Sequence, residues 1–488
     1  MTLPAVIFWI LLFGSLYRGG PMLLNMVFIA MSFGTLSVIP PAVTGGITVL
    51  PESICAAAFV GRLLLNRNAY AWMLDATLRF QKMGILALFM LIALVGAVFL
   101  PTLFAGVPVI PFRPAGAVVL TSALHASTAN ITQSAYLLLS ALMVLAFAYA
   151  SRGAQFQRQL LRAMLYGAIT VVLTGVADLV TQKAGLAALL VPFRNATYTL
   201  NIDDTILGTQ RIVGLMPEAS SYGPLCVSFA ALVLTLRPFY PTITQRRLCM
   251  FLAAALALLG WLSTSSTAIL CLGVLGCIYV ADWVRRTLNA SALGRSSLNV
   301  ELFIGILIIT GVLVFVMFDP SVFETIEALL NKMIFQKTGS SSFAVRQQWN
   351  HVAWQAMLDT DGAGFGVGGS RSSNGVIAVF SNTGILGGLV YCAFLLQAFL
   401  RPSGGMPWNA GMISALKLVL LVPLASNVLT STSPDFGLFI ATVIGTITGL
   451  SLSRMPIRFD NAPAAHRASQ PPLAPEGPPL QSPARSST

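Results

Sequence analysis

The chain has 488 residues, of which 56% are hydrophobic and 9% charged. A soluble domain carries roughly 25% charged residues, so an aqueous globular protein is excluded and a membrane-embedded one is implied. Lys and Arg exceed Asp and Glu by 28 to 16, a net charge of +12; in a membrane protein such an excess belongs to cytoplasmic loops rather than to nucleic-acid binding.

A helix crosses the hydrocarbon core with about 20 apolar residues. In chain order, such runs lie near 3–17, 20–40, 44–61, 83–101, 130–150, 163–183, 221–236, 248–263, 266–283, 301–318, 376–400, 413–430 and 435–452. They predict an all-α polytopic membrane protein with about 13 transmembrane helices (12–14) and a large external loop. The pair covering 248–283 reads as a tight hairpin about Ser263–Thr267 or as one long broken helix. No basic residue precedes the first run and Arg18 follows it, which argues against a cleavable signal and for an external N-terminus. Placing the C-terminus in the cytoplasm puts 19 of the 28 Lys and Arg in cytoplasmic loops or tail, as the positive-inside rule requires.

With the N-terminus outside, three long external segments follow, 102–129, 184–220 and 319–375, within a transmembrane domain 1–453. Residues 454–488 are rich in Pro, Ala and Ser and read as a disordered cytoplasmic tail.

Walker loops, GxSxG elbows and HExxH motifs are absent, and no GxGxxG follows a strand pattern. The six cysteines have no CxxC or Cys/His spacing and only three histidines occur, so no metal and no cofactor is expected. Glu52 and Asp178 fall within apolar runs. Intramembrane carboxylates are costly, so each either marks a proton path, as in a secondary transporter, or meets a partner inside the bundle.

Two stretches carry recognisable chemistry. Arg211-Ile-Val-Gly-Leu-Met-Pro-Glu218-Ala-Ser-Ser places an arginine and a carboxylate seven residues apart before a span. Arg346-Gln-Gln-Trp349-Asn-His351 is followed by Gly362-Ala-Gly-Phe-Gly366-Val-Gly368-Gly-Ser-Arg371-Ser-Ser-Asn374 and then by a span containing Gly384-Ile-Leu-Gly387. Arginine grips phosphate oxygens with a bidentate fork, and the amides of a glycine-rich turn add to an anion site. The blander readings are an Arg211 pair with Asp203 or Asp204, an Arg346 pair with Asp359 or Asp361, a Glu218 that caps the next helix, and glycines that only turn the chain.

In their order and sidedness these stretches resemble the O-antigen ligase and O-antigen/exopolysaccharide polymerase family of bacterial inner membranes. The likeness rests on Arg211/Gly214/Glu218/Ser220, Arg346/Gln347/Trp349, Gly364/Gly366/Gly368, Ser373-Asn374, Gly384-Ile-Leu-Gly387 and the Ser263–Thr267 turn. It implies a GT-C-like fold and a glycosyltransferase that joins undecaprenyl-diphosphate-linked oligosaccharide units on the outer face of the inner membrane, working beside a flippase and a chain-length regulator. On the same resemblance Glu218 is the expected general base. Arg211, Arg346 and Arg371 are expected on the diphosphate, and Trp349, Asn374, Gly366 and Gly368 on the diphosphate or glycan. Ligases of the family commonly carry His where Ser373 stands, which tilts the expectation from ligase to polymerase.

Overall fold

The computed structural model describes residues 1–112, 121–198, 200–202, 205–206, 209–289, 341–403 and 407–453. The predicted span 301–318, the tail 454–488, Asp203, Asp204 and the first part of the third external segment lie outside the described residues. One compact unit covers Met1–Ser453.

The elements are α1 (Leu3–Arg18), α2 (Gly20–Ala30), α3 (Pro51–Leu64), α4 (Arg67–Leu78), a π turn (Phe80–Gly84), α5 (Ile85–Leu103), α6 (Thr128–Ala150), α7 (Ala154–Lys183), α8 (Ala219–Leu236), α9 (Ile243–Leu262), α10 (Ser266–Asn289), α11 (Ser341–Asp359), α12 (Gly375–Leu400), α13 (Pro407–Thr430) and α14 (Gly437–Ser451). Two tiny hairpins, Pro108–Val109 with Ser122–Ala123 and Thr205–Ile206 with Thr209–Gln210, are the sheet content of the described residues. Eight helices among the described residues are long and apolar enough to span a membrane: those within 80–103, 128–150, 154–183, 219–239, 243–262, 266–284, 375–400 and 407–430. Three shorter apolar helices, α1, α2 and α14, accompany them. This is an all-α membrane protein. The 248–283 region is two helices, with α9 ending at Leu262 and α10 starting at Ser266.

The apolar runs 20–40 and 44–61 are not two continuous helices. Helix α2 stops at Ala30, and the chain is irregular until Pro51 opens α3. Pro40 and Pro41 offer no N–H, and a Gly45-Gly46 pair follows them, so hydropathy alone overstates helix here. Irregular backbone at such depth persists only if its polar groups are satisfied. Several of them are: Val38 N–H donates to Val49 C=O at 2.9 Å, and Trp9 Nε1 donates to Val38 C=O at 2.9 Å. Asn195 accepts from Ser37 N–H at 2.6 Å and donates to Ser37 C=O at 3.0 Å.

Helix α8 is the hub. It packs against α7, α9, α10 and α13, and every residue from Cys226 to Val233 is buried. Helices α6 and α14 approach closely because α14 carries Gly445-Thr-Ile-Thr-Gly449; a Cβ at either glycine would lie 2.5 Å from the C=O of Val144 or Ala148. Small residues four apart let helices pack by backbone contact where lipid provides no hydrophobic drive between them.

Candidate functional site

The segment between α7 and α8 is fastened along its length by buried polar groups. Asp178, fully buried in α7, accepts from Arg194 Nη2 at 2.7 Å through Oδ1 and from the amides of Val213 and Gly214 at 2.8 and 2.9 Å through Oδ2. Arg194 also donates to Gly214 C=O at 3.0 Å. Gln182 Nε2 donates to Arg211 C=O at 3.2 Å, and Thr35 Oγ1 donates to Leu215 C=O at 3.0 Å. Of the two sequence readings for Asp178, the structure supports the partner within the bundle: its carboxylate has three donors, and together they fix the loop running from Arg211 to Glu218. Glu52, the other intramembrane acid, lies within electrostatic range of Asp435, which accepts from the Ser140 hydroxyl and from Gly437 N–H at 3.1 Å.

Glu218 stands at the N-cap position of α8, but its side chain makes no capping bond. Its Oε1 instead accepts from the Ser220 hydroxyl and faces Arg346 Nη2 at 3.9 Å, while Oε2 accepts from Asn201 Nδ2 at 3.3 Å. Arg346 therefore pairs with Glu218, whereas Asp359, one of the acids considered for it, accepts from Gln355 at 3.1 Å. Both members of the Glu218–Arg346 pair are about one-third exposed (31% and 30%).

One helical turn after Arg346, Trp349 offers its ring to Arg371, whose guanidinium carbon lies 4.0 Å from the ring centroid. Burial lowers the Arg371 pKa from its ordinary value; Glu218 opposes that shift and Arg346 adds to it. Glu218, Arg346 and Arg371 thus feel one another's charge, and one carboxylate sits among two guanidinium groups that would otherwise repel. The Trp349 indole N–H is buried without a hydrogen-bond partner beside them, a donor left over for a further group.

Arg211 reaches the Ser263–Thr267 turn. Its Nε and Nη2 donate to the C=O groups of Ser263 and Thr264 at 3.3 and 3.2 Å, at the end of α9. A guanidinium there meets the negative end of the helix dipole and ties the Arg211–Glu218 loop to the Ser263–Thr267 turn.

In the structure the glycine-rich turn, with Gly366 and Gly368, serves as a structural splice. Residues 364–370 are buried. The amide of Gly364 bonds Thr360 Oγ1 at 3.0 Å, that of Phe365 bonds Ser381 C=O at 3.1 Å, and that of Gly368 bonds Asn382 Oδ1 at 3.1 Å. A Cβ at Gly366 would come within 2.7 Å of Gly96 C=O, and one at Gly368 within 2.5 Å of Ala129 C=O. The partner of this turn is Gly384, which has φ 71° in the middle of α12. Ser381 C=O and Ile385 N–H, which an unbroken helix would join, are bonded instead to Phe365 N–H (3.1 Å) and Gly362 C=O (2.9 Å). The turn thus completes the broken ladder, and Gly384 is required because Ala363 C=O occupies the place of a Cβ.

Asn374 is likewise claimed by the fold. Its Oδ1 accepts from Val376 and Ile377 N–H at 3.0 and 3.2 Å, the N-cap of α12. The splice and the cap together hold Arg371, whose own amide donates to Ile110 C=O at 2.9 Å.

Of the sequence candidates, the structure brings together Glu218, Arg346, Arg371 and Trp349. Arg211, Gly366, Gly368 and Asn374 support that group through the backbone. Sequence reasoning missed Asn201, Ser220 as a donor, and the Asp178–Arg194 clamp; an acid inside a span and an arginine in the adjoining loop were the only signals for the last. Among the described residues no cluster of His, Cys, Asp and Glu could hold a metal. Compared with family models and with curated proteins, the chain matches none.

Proposed function

We propose that the chain is a glycosyltransferase of the polysaccharide-polymerase kind, using an undecaprenyl-diphosphate-linked oligosaccharide as donor on the outer face of a bacterial inner membrane. The observation that carries this reading is the convergence, outside the spans and from segments more than a hundred residues apart, of two arginines, one glutamate and an indole. In the proposed reaction an acceptor hydroxyl attacks the anomeric carbon of the lipid-linked sugar. The bond from that carbon to the diphosphate oxygen breaks and its electron pair leaves with the diphosphate. Arg346 and Arg371 stabilise the negative charge as it grows. Glu218 takes the hydroxyl proton, and the Trp349 indole contributes a ring face and a donor for sugar or phosphate oxygens. Arg211 keeps the loop bearing Glu218 in place.

The resemblance to O-antigen polymerases and ligases supports the same class, and Ser373 in place of the histidine common in ligases favours joining repeat units. The proposed topology, with the N-terminus outside and the C-terminus inside, puts this cluster on the outer face.

The test is genetic and chemical. Deleting the gene should leave single repeat units on the lipid carrier and no long polymer. Restoring Arg346→Lys or Arg371→Lys should leave polymer formation reduced by roughly 10²–10³, the range for losing one preorganised donor to a developing anion, with unchanged protein level in the membrane. Normal-length polymer in the deletion strain would refute the reading.

A further inference from the structure

At the end of the bundle opposite the Glu218–Arg346 site in the proposed topology, helices α1 and α3 finish side by side, and α3 leads into α4 through Leu65 and Asn66. An open, shallow cleft lies between them, lined by Leu16, Ala58, Gly61 and Leu65 together with Arg62 and Arg67.

Gly61 has ordinary helical backbone and nothing within 4 Å of where a Cβ would stand. A larger side chain there would enter the cleft. Charge is equally one-sided. Arg18, Arg62 and Arg67 are all exposed at this end, and the acid on α4, Asp75, is already paired with Arg79 at 2.6 Å and with Lys82. Arg62 donates to Leu16 C=O at 3.0 Å through Nη1, which fixes its guanidinium across the gap between the two helices. The outer surface beside the cleft is strongly apolar, with Phe13 62%, Tyr17 92% and Leu65 89% exposed.

An apolar slot opening onto a lipid-facing surface and rimmed by two arginines matches one kind of occupant. Its acyl chain would lie along α1 and α3, and its phosphate would sit on the guanidinium forks, which suit phosphate oxygens. We infer that this cleft is a binding site for a glycerophospholipid with a net-anionic headgroup.

The experiment uses the full-length protein purified in detergent, titrated with phosphatidylglycerol or phosphatidylcholine and read by native mass spectrometry as tightly held lipid adducts. Wild-type protein should retain phosphatidylglycerol well above phosphatidylcholine. The double variant Arg62→Gln/Arg67→Gln should bring phosphatidylglycerol retention down at least tenfold, since each arginine near an anionic lipid surface contributes about fivefold. Gly61→Phe should abolish the adduct of either lipid at an unchanged melting midpoint, because the ring enters empty space. Arg158→Gln, at an exposed basic residue of α7, should behave as wild type. Equal retention of the two lipids, wild-type retention in Gly61→Phe or in the double variant, an Arg158→Gln loss as large as the double variant's, or full displacement of the lipid by inorganic phosphate would each overturn the assignment.

Discussion

Replacing Asp178 with Asn tests the clamp on the Arg211–Glu218 loop without changing the size of the side chain. In the native protein one buried carboxylate serves Arg194 and two backbone amides, and the two side chains are 0% and 9% exposed. Asn retains one carbonyl oxygen, so it can satisfy the two amides or the guanidinium but not both, and its NH₂ then confronts a donor. The guanidinium is left buried without a counter-charge. Breaking a buried pair in this way costs about 3–5 kcal/mol, a large share of the roughly 5–15 kcal/mol that holds a folded domain. Thermal melting of the purified protein in detergent should therefore show a marked loss for Asp178→Asn and a comparable one for Arg194→Met. The double variant Asp178→Asn/Arg194→Met should recover part of either loss, because the remaining amide oxygen can serve the Val213 and Gly214 amides and no unpaired charge is left buried. If each single change costs less than about 1 kcal/mol, as an exposed pair would, the clamp reasoning fails. A proton-path role for Asp178 predicts such tolerance, together with altered pH dependence of a transport activity.

Gly384→Ala should destabilise by roughly 2–5 kcal/mol, read as a lowered melting midpoint or loss of the protein from the membrane, because a left-handed φ penalises any Cβ and Ala363 C=O fills its place. Asn374→Ala should cost about 1 kcal/mol by the same melting assay, the usual effect of an N-cap, while Asn374→Asp or Asn374→Ser should retain most of it. Arg401 is buried and its fork spans Gln81 C=O at 2.8 Å and Lys82 C=O beside the π turn, so Arg401→Lys should lose one bond, lowering stability by about 1 kcal/mol; Arg158→Lys, at an exposed position, should be neutral.

Much of this protein is written in its hydropathy. Long uninterrupted runs such as 83–101 and 130–150 became helices almost residue for residue, because backbone in lipid has few alternatives. Where prolines and glycines punctuate an apolar run, as at 40–46, the same composition supports an irregular segment, and the remote partners Asn195, Thr197 and Trp9 help satisfy its polar groups. The candidate site was half legible. Arginines and a glutamate in the segments between the spans stand out against so few charges. Which of them meet was not legible, because Glu218–Arg346 and Arg371–Trp349 depend on how the 341–374 segment folds over α8 and α12. The glycine motif announced its position but not its purpose: GxG spacing looks the same whether it cradles an anion or, as here, bridges a broken helix.

The two carboxylates of the Arg194–Glu218 region show why one ion pair is structural and the other is suited to exchange with a ligand. Asp178 is held by three donors between 2.7 and 2.9 Å with almost no exposure. Nothing can reach it without unmaking the loop, and its charge is balanced where it stands. Glu218 faces Arg346 across 3.9 Å with both side chains near one-third exposed, a separation and dielectric at which the attraction amounts to about 0–1 kcal/mol. An incoming diphosphate carries more charge and more acceptor oxygens than one carboxylate, so it can take the guanidinium from Glu218 at little cost. Arg371, stacked on Trp349 and partly desolvated, would gain a counter-charge in the same event. In the proposed reaction this displacement does two things at once: it seats the leaving group on both arginines, and it frees Glu218 from Arg346 to receive the acceptor's proton. Glu218→Gln separates the two roles. The amide keeps one oxygen to accept from Asn201 while its NH₂ can donate to the Ser220 hydroxyl, and it leaves the arginines able to bind the diphosphate, but it cannot take a proton at neutral pH. The expected result is donor lipid bound as in wild type with polymer formation lost; polymer formed at the wild-type rate would remove Glu218 as the base.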